Sequence, residues 1–144
     1  MKKNNFLIKI FLAYALSISS AQALKSEYFN KGKSFFDKKD FENSKVFFEK
    51  DIVFNPKSEN SYLYLAKIFN IKENEEEEEM NLQNVLILNP KNDEAIYMLI
   101  NLKIKQSDYD EADDLIKKFE LVCKNFCSKK EEILKKFNKL IPNE

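Results

Sequence analysis

The stretch LNPKNDEAIYML, residues Leu88–Leu99, has the same order of residue types as FNPKSENSYLYL, residues Phe54–Leu65. The prolines in these stretches, Pro56 and Pro90, lie 34 residues apart. Because proline cannot continue the helix that precedes it, each Asn-Pro pair marks the end of one helical segment and the start of another. A fixed interval of this length indicates a chain built from repeated helical units.

Within each unit, apolar residues recur at spacings of three and four, as on one face of an α-helix. The chain has only one glycine and three prolines, which disfavours strands joined by tight turns. The sequence predicts helical hairpins at about 25–58, 59–92 and 93–126, followed by a capping helix at about 128–141. One hairpin has too little apolar area to be stable alone, so each should bury its second face on a neighbour.

The pattern of large and small residues resembles the tetratricopeptide repeat, whose unit also has 34 residues. The matching positions in the three copies are Tyr28, Gly32, Phe35, Ser44, Phe48 and Pro56, then Tyr62, Leu65, Ala66, Phe69 and Pro90, then Tyr109 and Ala112. The resemblance implies an all-α fold, a right-handed α-solenoid of three helix-turn-helix hairpins plus a C-terminal capping helix.

Two residues depart from the family pattern. Glu78 stands at the alanine site of the second copy, and Lys124 stands where a closing proline is expected. A glutamate at a close helix crossing predicts that the second helix of the middle hairpin is rotated or starts late.

The composition argues against an enzyme. The chain has no histidine, so the usual general base near neutral pH and the commonest metal ligand are both missing. A single glycine cannot form a glycine-rich phosphate loop. The 24 basic residues are all lysines and are balanced by 24 acidic residues, which lacks the basic excess that nucleic-acid binding requires. We expect a non-catalytic protein with no cofactor, metal, small-molecule substrate or nucleic-acid partner.

The N-terminal residues have the features of a secretory signal peptide. A lysine-rich start is followed by the apolar run Ile10–Ile18 and by an A-x-A arrangement ending at Ala23. The run is shorter than the roughly 20 residues that span a bilayer, which favours cleavage. We therefore predict a signal peptide at 1–23, a repeat domain at 24–144, and an exported, periplasmic protein. The alternative is an uncleaved segment that anchors the protein in the inner membrane.

Proteins of the tetratricopeptide repeat family usually bind a peptide in the concave face formed by the first helix of each hairpin. Carried over by helical phase, the resemblance implies a partner-binding groove lined by Phe29, Lys33, Phe36, Leu63, Lys67, Asn70, Tyr97, Asn101 and Ile104. Asparagine amides and lysines suit an extended segment with acidic and apolar residues. The same positions equally fit ordinary solvated surface.

The expected function is therefore that of an adaptor or scaffold which binds a protein or peptide partner in a bacterial cell-envelope assembly. The alternative is a homo-oligomeric structural protein built by end-to-end stacking of repeats, so self-association is a second expectation.

Cys123 and Cys127 straddle the predicted turn between the last hairpin and the capping helix. An even cysteine count in an exported protein suggests a disulfide, and such a bond would pin the cap to the array. Catalytic dithiols typically have two residues between the cysteines, whereas this pair has three. The acidic run Glu73–Glu79 lacks the spaced residues of a calcium loop and predicts a solvated helix face.

Overall fold

The computed structural model describes residues 27–140, and every regular element in that range is helical. The helices are α1 over 27–37, α2 Phe41–Phe54, α3 Glu59–Ile71, α4 Glu75–Leu88, α5 Asp93–Lys105, α6 Tyr109–Val122 and α7 Lys130–Leu140, with a short 3₁₀ helix at Cys127–Lys129 before α7. The predicted signal peptide at 1–23 lies outside the described residues, as does residue 141 of the predicted capping helix. The chain divides into two compact units, one ending at Ser58 and one beginning at Glu59.

The turn inside each hairpin has the same backbone conformation in all three copies. A residue with positive φ follows the first helix of each hairpin: Lys39 at 61°, Glu73 at 56° and Ser107 at 60°. The next residue caps the second helix by accepting a backbone N–H with its side-chain oxygen: Asp40, Asn74 and Asp108. A left-handed residue ends a helix and a side-chain cap begins the next, so the 34-residue period is present in the backbone as well as in the sequence.

The middle hairpin keeps this period despite Glu78. Helix α4 begins at Glu75, 34 residues after the start of α2 at Phe41, so the expectation of a late start is wrong. Glu78 is buried, and both of its carboxylate oxygens accept hydrogen bonds from Nδ2 of Asn70 on α3, at 3.0 and 3.1 Å. Because the amide supplies the partner that a buried carboxylate requires, α4 accommodates Glu78 without changing where it begins.

In the first unit, α1 packs closely against α2 at Gly32. The hydroxyl of Ser44 donates to the carbonyl oxygen of Gly32 at 2.9 Å. A Cβ atom on Gly32 would lie 2.8 Å from ring carbons of Phe48, which is fully buried. Glycine is therefore required here because no other residue allows the two helices to approach so closely.

The second unit contains two apolar clusters that share α5. The first cluster consists of Leu63, Ala66, Leu82, Val85, Ala95, Leu99 and Leu102. The second consists of Ile96, Ile100, Ile104, Ala112, Ile116, Phe119, Ile133 and Phe137. Since different faces of α5 enter the two clusters, neighbouring hairpins bury apolar area on each other. Helix α7 closes the second cluster with Ile133 and Phe137.

Candidate interaction surface

An ion pair joins the first helices of the second and third hairpins. Nζ of Lys67 on α3 lies 2.7 Å from Oε1 of Glu94 on α5, and both side chains are half-buried. The same ammonium lies 4.9 Å from the ring centroid of Tyr64, within the range of a cation–π interaction. Lys67 is thus held in place by both helices.

Tyr97 on α5 contacts residues 126–140, which comprise the 3₁₀ helix and α7 and are called the capping segment below. Its hydroxyl donates to Oε1 of Glu132 on α7 at 3.1 Å, and its ring centroid lies 5.7 Å from that of Phe126. Burial and the hydrogen bond to Glu132 raise the pKa of Tyr97 above its ordinary value. The hydroxyl therefore remains a hydrogen-bond donor at neutral pH.

Asn101 extends the contact between α5 and α7. Its Nδ2 donates to the carbonyl oxygen of Tyr97 at 2.9 Å, and its Oδ1 accepts from Nζ of Lys136 at 3.0 Å. Helix α7 therefore contributes charged groups beside the aromatic and amide groups of α5. We refer to the following residues as the α3–α5–α7 face: Tyr64, Lys67, Glu94, Tyr97, Asn101, Glu132 and Lys136.

Three of the residues predicted to bind a partner lie on the α3–α5–α7 face: Lys67, Tyr97 and Asn101. Leu63 and Ile104 are only 6% and 4% exposed and belong to the two apolar clusters. The structure corrects the prediction for these two residues, because their positions on the helix turn them toward a packed neighbour. Asn70 is exposed, but its amide donates to Glu78 on α4.

The other predicted residues, Phe29, Lys33 and Phe36, lie on α1 in the first unit and are half-buried. The ring of Phe29 lies 5.7 Å from that of Phe48, and the ring of Phe36 lies 5.5 Å from that of Phe41. Nζ of Lys33 lies 2.8 Å from a carboxylate oxygen of Asp37. The two aromatic rings pack within the hairpin, and a role for all three residues in partner binding stays a prediction.

The sequence prediction missed Tyr64, Glu94, Glu132 and Lys136. Tyr64 precedes Lys67 by three residues on α3. Glu94 precedes Tyr97 by three residues on one helix, so helical phase could have placed both on the same face. Glu132 and Lys136 reach this face only because of the way α7 docks on α5, and no local sequence pattern specifies that docking.

The acidic run Glu73–Glu79 forms ion pairs with lysines of α5. Carboxylate oxygens of Glu79 and Glu75 lie 2.7 and 2.8 Å from Nζ of Lys103 and Lys105, respectively. Lys103 also lies 2.9 Å from Glu111 on α6, so this lysine connects three helices. Together with the burial of Glu78, these contacts show that the run is not simply a solvated face.

Two kinds of feature are absent from residues 27–140. No group of three histidine, cysteine, aspartate or glutamate side chains in this range is arranged to hold a metal ion. No helix in the same range is both long and apolar enough to cross a membrane. The sulfur atoms of Cys123, which directly follows α6, and Cys127, the first residue of the 3₁₀ helix, are 2.17 Å apart in a disulfide.

The solved structures with a similar fold include the following three domains. The TPR domain of Arabidopsis OM64 aligns with a TM-score of 0.75 and 16% identity over 84% of this chain and 99% of that chain. The TPR2B domain of yeast Sti1, in a complex with pHsp70, aligns with a TM-score of 0.74 and 15% identity over 83% of this chain and 99% of that chain. The Sgt2 TPR domain from Aspergillus fumigatus aligns with a TM-score of 0.64 and 15% identity over 87% of each chain.

No protein-family profile and no curated protein matches the sequence. The structural likeness, together with the repeated hairpins, establishes the architecture. Residues 27–140 have the all-α fold of tetratricopeptide repeat domains, with three helix-turn-helix hairpins and a C-terminal capping helix.

Proposed function

We propose that the chain is a non-catalytic adaptor that binds an extended segment of a partner protein on the α3–α5–α7 face. The observation that carries this proposal is a set of three polar contacts: Lys67–Glu94 joins α3 to α5, and Tyr97–Glu132 and Asn101–Lys136 join α5 to α7. Each ammonium and amide on the face has further hydrogen-bonding capacity. A segment lying across the face could therefore contact all three helices.

The chemistry of the face favours a partner segment with acidic and apolar side chains. Lysine ammonium groups attract carboxylates as point charges, and the ring of Tyr97 offers an apolar surface with a polar edge. The complex of the yeast Sti1 domain with pHsp70 supports a protein as the kind of partner.

Photo-crosslinking in the native cell tests the proposal. A photo-reactive residue at Lys67 should give a discrete adduct with another protein. The same probe at Lys117, whose side chain is 65% exposed on α6, is the matched control and should give no such adduct. Replacing Lys67 and Tyr97 together with alanine should abolish partner binding without loss of helix content. Unchanged binding by the double variant, or the same adduct from both probes, would reject this face as the binding site.

A second candidate function is self-association through the second helices of the hairpins. Ile87 on α4 and Leu121 on α6 lie 34 residues apart and are 76% and 86% exposed. Exposed apolar side chains at equivalent positions could pack against a second copy. Light scattering would then show a mass that increases with concentration, and Ile87→Lys with Leu121→Lys should return it to the monomer. A constant monomer mass would exclude this candidate.

We also propose that the protein is exported and acts in a bacterial cell envelope. The support is the basic start, the short apolar run and the A-x-A arrangement that ends at Ala23. N-terminal sequencing of the protein from cells should yield Leu24 as its first residue. An intact N-terminus in the membrane fraction would instead favour the anchored form.

A further inference from the structure

The turn that follows the third hairpin differs from the turns after the first two. Those turns contain Asn55-Pro56 and Asn89-Pro90, whereas the third has Cys123-Lys124 at the equivalent positions. Proline restricts its own φ angle and the conformation of the residue before it. The third turn lacks that restraint, and a disulfide to Cys127 closes it instead.

The disulfide-closed turn binds a carboxylate through its backbone. The N–H groups of Lys124, Asn125 and Phe126 all donate to Oδ2 of Asp93, at 2.7, 2.6 and 2.9 Å. Asp93 is buried at the start of α5. Three successive N–H groups can converge on one oxygen only in a restricted backbone conformation, and closing the ring favours that conformation by reducing the alternatives.

The preceding repeat makes an equivalent contact without a disulfide. Glu59, 34 residues before Asp93, accepts hydrogen bonds on Oε1 from Nδ2 of Asn89 at 2.9 Å and of Asn92 at 2.5 Å. In both repeats, the acidic residue at the start of the hairpin, Glu59 or Asp93, accepts hydrogen bonds from the turn that follows that hairpin. Of these turns, only the third is closed by a disulfide, a covalent bond that can be reduced and formed again.

The third turn also positions the capping segment. Cys123 and Phe126 pack against the second apolar cluster, and Cys127 begins the 3₁₀ helix that leads into α7. We propose that the Cys123–Cys127 bond is a redox-controlled latch: it keeps the turn in the form that binds Asp93, and its reduction loosens α7 while α3 and α4 stay in place.

The latch would open by thiol–disulfide exchange with a dithiol reductant. The attacking thiolate forms a bond to the sulfur of Cys127, whose residue is exposed; the Cys123–Cys127 bond breaks, and Cys123 leaves as a thiolate that takes a proton from water. The second thiol of the reductant then releases Cys127, so that the reductant becomes a disulfide and the protein carries two thiols.

Opening the latch should alter the α3–α5–α7 face. Tyr97 contacts both Phe126 and Glu132, and Asn101 accepts a hydrogen bond from Lys136. A looser α7 would remove these contacts together. This consequence rests on the proposed function, whereas the latch itself can be measured without any partner.

Hydrogen exchange of the full chain, followed by mass spectrometry before and after treatment with dithiothreitol, tests the latch. Reduction should speed exchange about tenfold in peptides that cover 123–129 and 130–140 and leave exchange in α3 and α4 unchanged. The variant with Cys123→Ser and Cys127→Ser should exchange like the reduced protein and should not respond to dithiothreitol. Equal exchange in the oxidised and reduced wild-type protein overturns the proposal, and so does an equal acceleration throughout residues 59–140.

Discussion

Asn70 on α3 and Glu78 on α4 form an amide–carboxylate pair in which Nδ2 of the exposed Asn70 donates to both oxygens of the buried Glu78. Burial raises the pKa of Glu78, and the hydrogen bond from Asn70 offsets this only in part. The folded state therefore binds the Glu78 proton more tightly than the unfolded state does. Stability should fall as pH rises from near the unfolded pKa of about 4.5 through the higher folded pKa.

Glu78→Gln should remove this pH-dependent loss and raise the free energy of unfolding at pH 7 by roughly 0.5–1 kcal/mol, because a neutral amide costs less to bury than a carboxylate. Urea denaturation at several pH values between 4 and 8 measures the effect. Glu76→Gln is the matched control, because it makes the same charge change at an exposed position of the same helix. Equal responses of the two variants would contradict the prediction.

Asp93 should show the opposite pH dependence. Burial alone would raise its pKa, but the backbone N–H groups of Lys124, Phe126 and Asn125 together lower it below the ordinary value of 3.8. The folded state thus favours the ionised form, and the stabilisation is present above the unfolded pKa and is lost as pH falls through the folded one.

Asp93→Asn should lower the free energy of unfolding at pH 7 by about 1–3 kcal/mol, since hydrogen bonds to a charged acceptor are stronger than neutral ones. The variant should also lose less stability than the wild type in acid. Asp110→Asn, in the first turn of α6, controls for the general effect of an acid near a helix start. Acid denaturation profiles that coincide for wild type and Asp93→Asn would count against the three-bond contact.

Lys103 occupies the position that Phe35 and Phe69 hold in the first two hairpins. It is nearly buried between Glu79 and Glu111, with its side chain 8% exposed. Lys103→Met should destabilise the protein by roughly 1–3 kcal/mol, because two neighbouring carboxylates lose their shared cation. Lys105→Met, whose side chain is 55% exposed in its pair with Glu75, should have little effect. Thermal denaturation of the two variants at one pH compares them, and equal stability would refute the special role of Lys103.

Gly32→Ala should destabilise the first hairpin by about 1–3 kcal/mol, because the added methyl group would press on the buried ring of Phe48. Ser34→Ala, at an exposed position of the same helix, should leave stability unchanged. Denaturant unfolding followed by circular dichroism would measure both variants. A fully stable Gly32→Ala protein would mean that α1 and α2 can move apart at no cost.

The regular part of the fold could be predicted from the sequence because its signals are local. The Asn-Pro pairs end α2 and α4, and the apolar spacing identifies the packed helix faces. The left-handed residues Lys39, Glu73 and Ser107 could not be identified in this way. They share a position but no residue type, and none is the glycine that usually marks such a conformation.

The candidate surface could be predicted only in part. The helical periodicity placed Lys67, Tyr97 and Asn101 on this surface, because the position of each residue on its own helix leaves it partly exposed. It placed Leu63 and Ile104 wrongly, because their burial depends on the helix that packs beside them. Lys103 was missed for a similar reason, since its partners come from α4 and α6.

The side chain of Asn92 makes hydrogen bonds to two neighbouring hairpins. Its Oδ1 accepts the backbone N–H of Ala95 and so caps α5, while its Nδ2 donates to Glu59 at the start of α3. Unfolding of α3 would remove the group that orients the cap of α5, and unfolding of α5 would free Glu59. In repeat arrays, such coupling between neighbours determines how cooperatively the array unfolds. The repeating unit of the sequence is a single hairpin, whereas α3 and α5, which belong to two neighbouring hairpins, should unfold together.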